Sequence, residues 1–144
     1  MIRRCNSNDI DAIVALEYEC FNSPLTKDFI TQEITVNPLS YYLCYEENGV
    51  VKGCIGLWLT DIGTILNVAV TKDSRGKGIG SKLIEETINV FNEHKIFQIS
   101  LDVRVSNERA IALYKKYKFQ EAIIRKAYYE NQEDAIVMIR SVTV

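Results

Sequence analysis

The sequence predicts a mixed α/β (α+β) fold in a single domain, and three observations carry that reading. Short runs of alternating or continuous apolar residues between Tyr41 and Val70 read as half-buried strands joined by turns. Apolar residues at helical spacing from Ile79 to Phe91 lie between two strand candidates, Ile65 to Val70 and Phe97 to Val103. A helix in that crossover makes those two strands parallel, within a sheet otherwise built of hairpins. The length, 144 residues, suits one domain with one ordinary core. The predicted order over residues 1–144 is β-α-α-β-β-β-α-β-α-β-β, a central, mostly antiparallel sheet of about seven strands flanked by about four helices.

The chain opens with a short strand candidate, Met1 to Cys5, followed by Asn6, Ser7, Asn8 and Asp9, residue types that cap helices. Ile10, Ile13, Val14, Cys20 and Phe21 recur at helical spacing, and Asn22-Ser23-Pro24 breaks that helix. Thr26 caps a second helix through about Thr35, which Asn37-Pro38 ends because proline drives the preceding residue out of the helical region. Tyr41 to Tyr45 and Val50 to Leu59 form a hairpin, since Asn48-Gly49 supplies the positive φ angles of a tight turn. Asp61-Ile62-Gly63 turns the chain into Thr64 to Thr71. In the crossover helix, Ile79, Leu83, Ile84, Ile88 and Phe91 share one face. Phe97 to Val103 alternates, which sets Asp102 on the face opposite Ile99, Leu101 and Val103. Ser106-Asn107 begins a helix over about Glu108 to Tyr117, and Ala122 to Lys126 closes on Ala135 to Ile139 across Tyr129 to Asp134.

The apolar fraction of 47%, the charged fraction of 25% and a net charge of −2 are those of an ordinary globular domain and exclude a general nucleic-acid binder. Cys5, Cys20, Cys44 and Cys54 are widely separated, and His94 is the single histidine, so the sequence predicts reduced, packed thiols and no metal. Polar residues begin at Arg3, and no run approaches the ~18 apolar residues of a membrane span. A cytoplasmic protein without a membrane partner is expected.

Chemistry concentrates between Asn67 and Phe119. Arg75-Gly76-Lys77-Gly78-Ile79-Gly80 joins a strand to a helix, with alternating glycines that turn the backbone and leave N–H groups uncovered at a helix start carrying about half a positive charge. The spacing matches neither the dinucleotide fingerprint nor the P-loop. A bare tight loop is the alternative to an anion cradle; Arg75, Lys77 and Lys82 favour an anion such as pyrophosphate. Asn107 and Tyr114 are two helical turns apart, on one face and about 10 Å apart along the axis. Asn107 serves as an N-cap, a ligand contact or both; Tyr114 as a core tyrosine or a site residue; Asp102 as a solvated carboxylate or a catalytic one.

Together, Asn67-Val68-Ala69-Val70, the glycine turn, and Val103-Arg104-Val105-Ser106-Asn107-Glu108-Arg109-Ala110-Ile111-Ala112-Leu113-Tyr114 with Tyr117-Lys118-Phe119 resemble the GNAT acetyltransferases over nearly the whole chain. Tyr128-Tyr129-Glu130 and Glu133-Asp134-Ala135 are similar to the RimI-type subgroup, which acetylates the N-terminal alanine of a small-subunit ribosomal protein. The resemblance implies a GNAT-like fold and acetyl-coenzyme A as cosubstrate. Its pyrophosphate would lie on the amides of Arg75, Gly76, Lys77, Gly78, Ile79 and Gly80. Val68, Ala69 and Val70 would bind the pantetheine arm like an added strand, with Asn107 on the same arm and Tyr114 near the sulfur. It also implies a general base at Asp102, where the family has glutamate, and a general acid at Tyr114. Aspartate is one methylene shorter, so it would act directly, through a water, or with a group such as Glu33 sharing the task. Leu25 stands where the subgroup has tryptophan, and Leu25, Tyr128 and Tyr129 would meet the acceptor.

That acceptor is expected to be a protein or peptide N-terminus, the ribosomal substrate of the subgroup included. A small amine or lysine side chain is the alternative, and the shortened acid motivates a third reading, a non-catalytic acetyl-coenzyme A-binding module. Passing a proton from an α-amine (pKa about 7.8) to an ordinary aspartate is uphill by about 5 kcal/mol, against about 9 kcal/mol for lysine. The weaker base is the easier substrate. An ordinary tyrosine protonates a leaving thiolate at a cost of about 2 kcal/mol.

Overall fold

Local capping sets where the helices begin in the computed structural model, which describes residues 1–142. After strand β1 (Ile2–Arg4), the Asn6 side chain accepts the Asn8 N–H and the Asp9 carboxylate accepts the Asn6 N–H, both at 2.9 Å, which starts a 3-10 turn at Ser7–Asp9 leading into α1 (Ile10–Cys20). Thr26 Oγ1 accepts the Phe29 N–H and opens α2 (Lys27–Thr35). A hairpin of β2 (Ser40–Glu47) and β3 (Val50–Trp58) turns through Asn48 at φ 53° and Gly49 at φ 78°. The chain continues as β4 (Gly63–Val70), α3 (Ile79–Glu93), β5 (Gln98–Arg104), α4 (Glu108–Lys116), β6 (Gln120–Arg125) and β7 (Ala135–Ser141). The order is the one predicted. Strand ends differ by a residue or two, most at β6, which begins at Gln120 because its register with β7 extends that far.

The seven strands form one sheet, in the order β1-β2-β3-β4-β5-β7-β6. Among the described residues only β4 and β5 pair in parallel, as the crossover predicts, and only at Gly63 with Ile99 and Thr64 with Ser100. Beyond Thr64 the two strands part, which leaves the β5-facing edge of β4 without a strand partner among the described residues. A bulge sharpens the divergence: Leu57 pairs with Ile65 and Ile55 with Val68, so Leu66 and Asn67 stand against Gly56 alone.

Two apolar layers hold the sheet. On one face Leu83, Ile84 and Phe91 of α3 bury against Leu57, Ile65, Ile99, Leu101 and Met138, joined by Tyr114 and Phe119. On the other, Ile13, Leu16 and Ile30 of α1 and α2 cover Tyr42, Cys44, Cys54 and Ala69. Gly63 sits at the vertex where β4 and β5 still pair. A Cβ there would lie 2.4 Å from Cε1 of Phe91, a fully buried ring. Gly63→Ala is therefore expected to destabilise the fold by about 1–3 kcal/mol, the usual penalty of overpacking, read as a lower midpoint in thermal unfolding.

Candidate active site

The divergence of β4 and β5 opens a cleft of about 720 Å³. Leu66, Asn67, Val68 and Val70 line it from β4, and Asp102, Val103 and Arg104 from β5. Arg75, Gly76, Gly78, Ile79 and Gly80 contribute the glycine turn, and Asn107 and Tyr114 the inner face of α4. The structure thus gathers most residues that the sequence singled out. Six stand apart from the lining, Lys82 and Glu33 among them. Ala69 is 1% exposed, its side chain in the α1 and α2 layer; Lys77 is exposed; Tyr128 lies outside the rim; and Leu25 packs against the second apolar layer.

At the glycine turn, Gly76 and Gly78 both take φ 81°, and a Cβ on either would meet nothing within 4 Å. Side-chain bulk is not what excludes other residues; the left-handed backbone is. The start of α3 carries no side-chain cap and no acidic residue in its first turn, unlike α2 and α4, which Thr26 and Asn107 cap. Its first N–H groups therefore meet no capping side chain, an arrangement suited to an anion. Arg75 folds back from this turn, donating from Nε to the Val70 carbonyl at 3.2 Å and from Nη2 to Cys20 Sγ at 3.4 Å.

Asp102 projects from β5 on the face opposite Leu101 and Val103, as the alternation predicts, with Arg125 Nε 3.7 Å from its Oδ1. Tyr128 stands beside it, and the Asp102 charge raises the Tyr128 pKa. Tyr129 is pushed up to about 12, first by burial and then by Asp102. Its ring lies 4.0 Å beneath the Arg104 guanidinium. Arg104 in turn binds Glu130 at 2.7 Å, Asn131 at 3.0 Å and Glu133 at 3.2 Å, while Glu133 accepts the Ser106 N–H at 2.8 Å. The loop from Tyr128 to Asp134 is thereby tied to the end of β5. Across the cleft, Tyr114 is 6% exposed and packs on Phe119 at 5.7 Å between ring centroids. Burial drives its pKa up, so it holds its proton more tightly than the ordinary value used above supposed. Asn107 both caps and lines: its Oδ1 accepts the Ala110 N–H at 3.2 Å, and the residue borders the cleft.

Glu33, offered by the sequence as a helper for Asp102, is 5% exposed and committed elsewhere. It accepts from Trp58 Nε1 and, at 2.8 Å, from Asn37 Nδ2, and it does not line the cleft. Sequence reasoning missed a different glutamate. Glu17 of α1, 2% exposed, accepts the Leu25 N–H at 2.9 Å and both 3.1 Å bonds from Asn67 Nδ2. Burial raises its pKa, and those bonds hold it back in part. A charged residue on the apolar stripe of a helix, next to Leu16, was the available signal. Also unforeseen, Cys20 lines the cleft, and Cys5 and Cys44 meet Asp9 within 4.8 Å, though both Asp9 oxygens are held by Arg3 at 2.8 and 2.9 Å.

A sheet split around a cleft, with an uncapped, glycine-framed helix start on one wall and a carboxylate and a tyrosine on the others, suits a group-transfer enzyme with an elongated, phosphate-bearing cosubstrate. The comparisons narrow that class. Residues 10–119 match the acetyltransferase (GNAT) family. A Bacillus subtilis (strain 168) protein provisionally named a ribosomal protein bS18-alanine N-acetyltransferase is 38% identical over 139 residues, covering 95% of this chain and 92% of that one. An N-alpha-acetyltransferase of Saccharolobus solfataricus is 29% identical, covering 96% of this chain and 91% of that protein. The crystal structure of the ribosomal-protein-S18-alanine N-acetyltransferase from Escherichia coli superposes with a TM-score of 0.92 at 27% identity, covering all of this chain and 94% of that one. The chain belongs to the GNAT family and is an acetyl-coenzyme A-dependent N-acetyltransferase.

Proposed function

We propose that this enzyme acetylates the N-terminal α-amine of a protein, with an alanine-starting ribosomal protein as the substrate that its relatives' names point to. The observation that carries this reading is the unpaired edge of β4, which opens onto the same cleft as the uncapped start of α3, Asp102 and Tyr114. Acetyl-coenzyme A supplies the activated acetyl thioester. The chain's residues fit it. The amides from Gly76 to Gly80 face no capping side chain, and the β5-facing edge of Val68 to Val70 has no strand partner among the described residues, with the Val70 carbonyl taken by Cys20 and Arg75. Ala69 takes part through its backbone alone, since its side chain is buried on the far face.

Asp102 accepts the proton that the amine loses as its nitrogen bonds to the acetyl carbon, directly or through a water. Tyr114 gives a proton to the departing sulfur. No acyl-enzyme is involved: Cys20, beside the end of β4, bonds to the Val70 carbonyl and to Arg75. Asp102 and Tyr114 lie on other walls. Tyr128 and Tyr129 frame the acceptor end, and Leu25 acts through the placement of its loop, whose N–H is fixed on Glu17.

The test supplies purified enzyme and labelled acetyl-coenzyme A with an alanine-starting peptide, an N-terminally blocked lysine peptide, spermidine and free amino acids in parallel. Label on the first residue of the alanine-starting peptide is the expected result. A preference for spermidine or for the blocked lysine peptide would overturn the acceptor assignment.

A further inference from the structure

We propose that Asn67 receives an N–H of the acceptor amine and that Glu17 is the positioning residue that aims it, an inference resting on the acetyl-transfer reading of the cleft. The bulge in β4 sets Asn67 beside the cleft. There its carboxamide could face either way round, presenting a donor or an acceptor. Glu17 decides. Its carboxylate collects three bonds, one from the Leu25 N–H and two from Asn67 Nδ2. An ionised carboxylate accepts from both donor groups at once and cannot donate. The NH2 end of Asn67 is therefore held on α1, and Oδ1, an acceptor, is the end left for the cleft.

That polarity selects the ligand atom. A thioester carbonyl needs donors and gains nothing from Oδ1, whereas an entering amine carries N–H donors in need of acceptors. Asp102 offers one acceptor from β5, and Asn67 offers a second from β4. The strands last pair at Thr64 and Ser100. Asn67 and Asp102 are therefore at similar depth on opposite walls, each about 7–10 Å past the vertex at the usual rise per strand residue. An amine between them is oriented before it loses its proton. The same Glu17 also fixes the backbone of Leu25, so one buried carboxylate aligns the acceptor loop with the acceptor-facing amide.

Glu17→Gln keeps the shape and can still accept from Leu25, but it turns an NH2 toward Asn67. That sets two NH2 groups against each other at the oxygen lost, a conflict relieved when Asn67 presents Oδ1 to Gln and swings its own NH2 into the cleft. With acetyl-coenzyme A and an alanine-starting hexapeptide, E17Q is expected to raise the peptide KM by about tenfold or more, the worth of a hydrogen bond to a charged group. The acetyl-coenzyme A KM should stay within about twofold, and the calorimetric Kd of the peptide, measured with coenzyme A present, should weaken in parallel. Adding Asn67→Asp to E17Q exchanges carboxylate and carboxamide between the two positions and should bring the peptide KM back to within about threefold of wild type. Asn67→Ala, which leaves the bond between Glu17 and Leu25 alone, should reproduce the loss, and it decides the matter should E17Q fail to fold. An unchanged peptide KM in E17Q or in Asn67→Ala, equal rises in both KM values, or no recovery in the double variant overturns the assignment. A wild-type enzyme that transfers acetyl only to amines other than the peptide's overturns the acceptor reading, and this assignment with it.

Discussion

Replacing Tyr114 with phenylalanine is expected to lower kcat by about 100-fold to 10,000-fold, the usual worth of a positioned proton donor, while coenzyme A affinity stays near normal. The substitution removes one oxygen and keeps the ring on Phe119, so the fold and the cofactor wall are unaffected. Burial sharpens this expectation. An isolated tyrosine would give up its proton to a thiolate at a cost of about 2 kcal/mol, but a buried one holds it harder. Transfer therefore waits until negative charge gathers on the sulfur, and until then the hydroxyl is a hydrogen-bond donor. The sign follows for pH. Because the Tyr114 pKa lies above the ordinary value of about 10, kcat should show no alkaline fall traceable to this residue below about pH 10. Steady-state kinetics of Y114F across pH, with coenzyme A binding measured separately, provides the check; unchanged turnover would remove the acid role.

Asp102→Ala comes next in size, with an expected loss in kcat/KM of about tenfold to a thousandfold, within or just below the usual worth of a general base. The carboxylate stands on β5 with Arg125 3.7 Å away and Tyr128 beside it, and Glu33 is too deeply engaged behind the sheet to substitute. The other carboxylate lining the cleft among the described residues is Glu130, already 2.7 Å from Arg104. A loss under threefold in D102A would move the base role away from Asp102 and make Glu130→Gln the next variant to measure.

Much of this arrangement was legible in the chain because it rests on local rules. Thr26, Asn48-Gly49 and Asn107 each act within a few residues of themselves, and the parallel pairing of β4 with β5 follows from the helix between them. The alternation that set Asp102 apart from Leu101 and Val103 was likewise a property of one strand. What the sequence hid depends on contacts between distant segments. The bond from Asn67 to Glu17 spans fifty positions, and no periodicity announces it. Glu33 was placed near the chemistry by residue type alone, whereas the indole of Trp58 claims it. The burial of Tyr114 needed both Phe119 and the sheet below it, which is why its proton affinity was set too low from the chain by itself.

The clamp at Arg104 has a consequence for redesign. Glu130 and Glu133 hold that guanidinium from one side of the loop, Tyr129 stacks beneath it, and Asp102 lies two residues away on the same strand. The loop is consequently not an interchangeable module. A segment borrowed from another acetyltransferase to alter peptide preference would have to bring both glutamates with it, or else leave a cation stranded one pleat from Asp102.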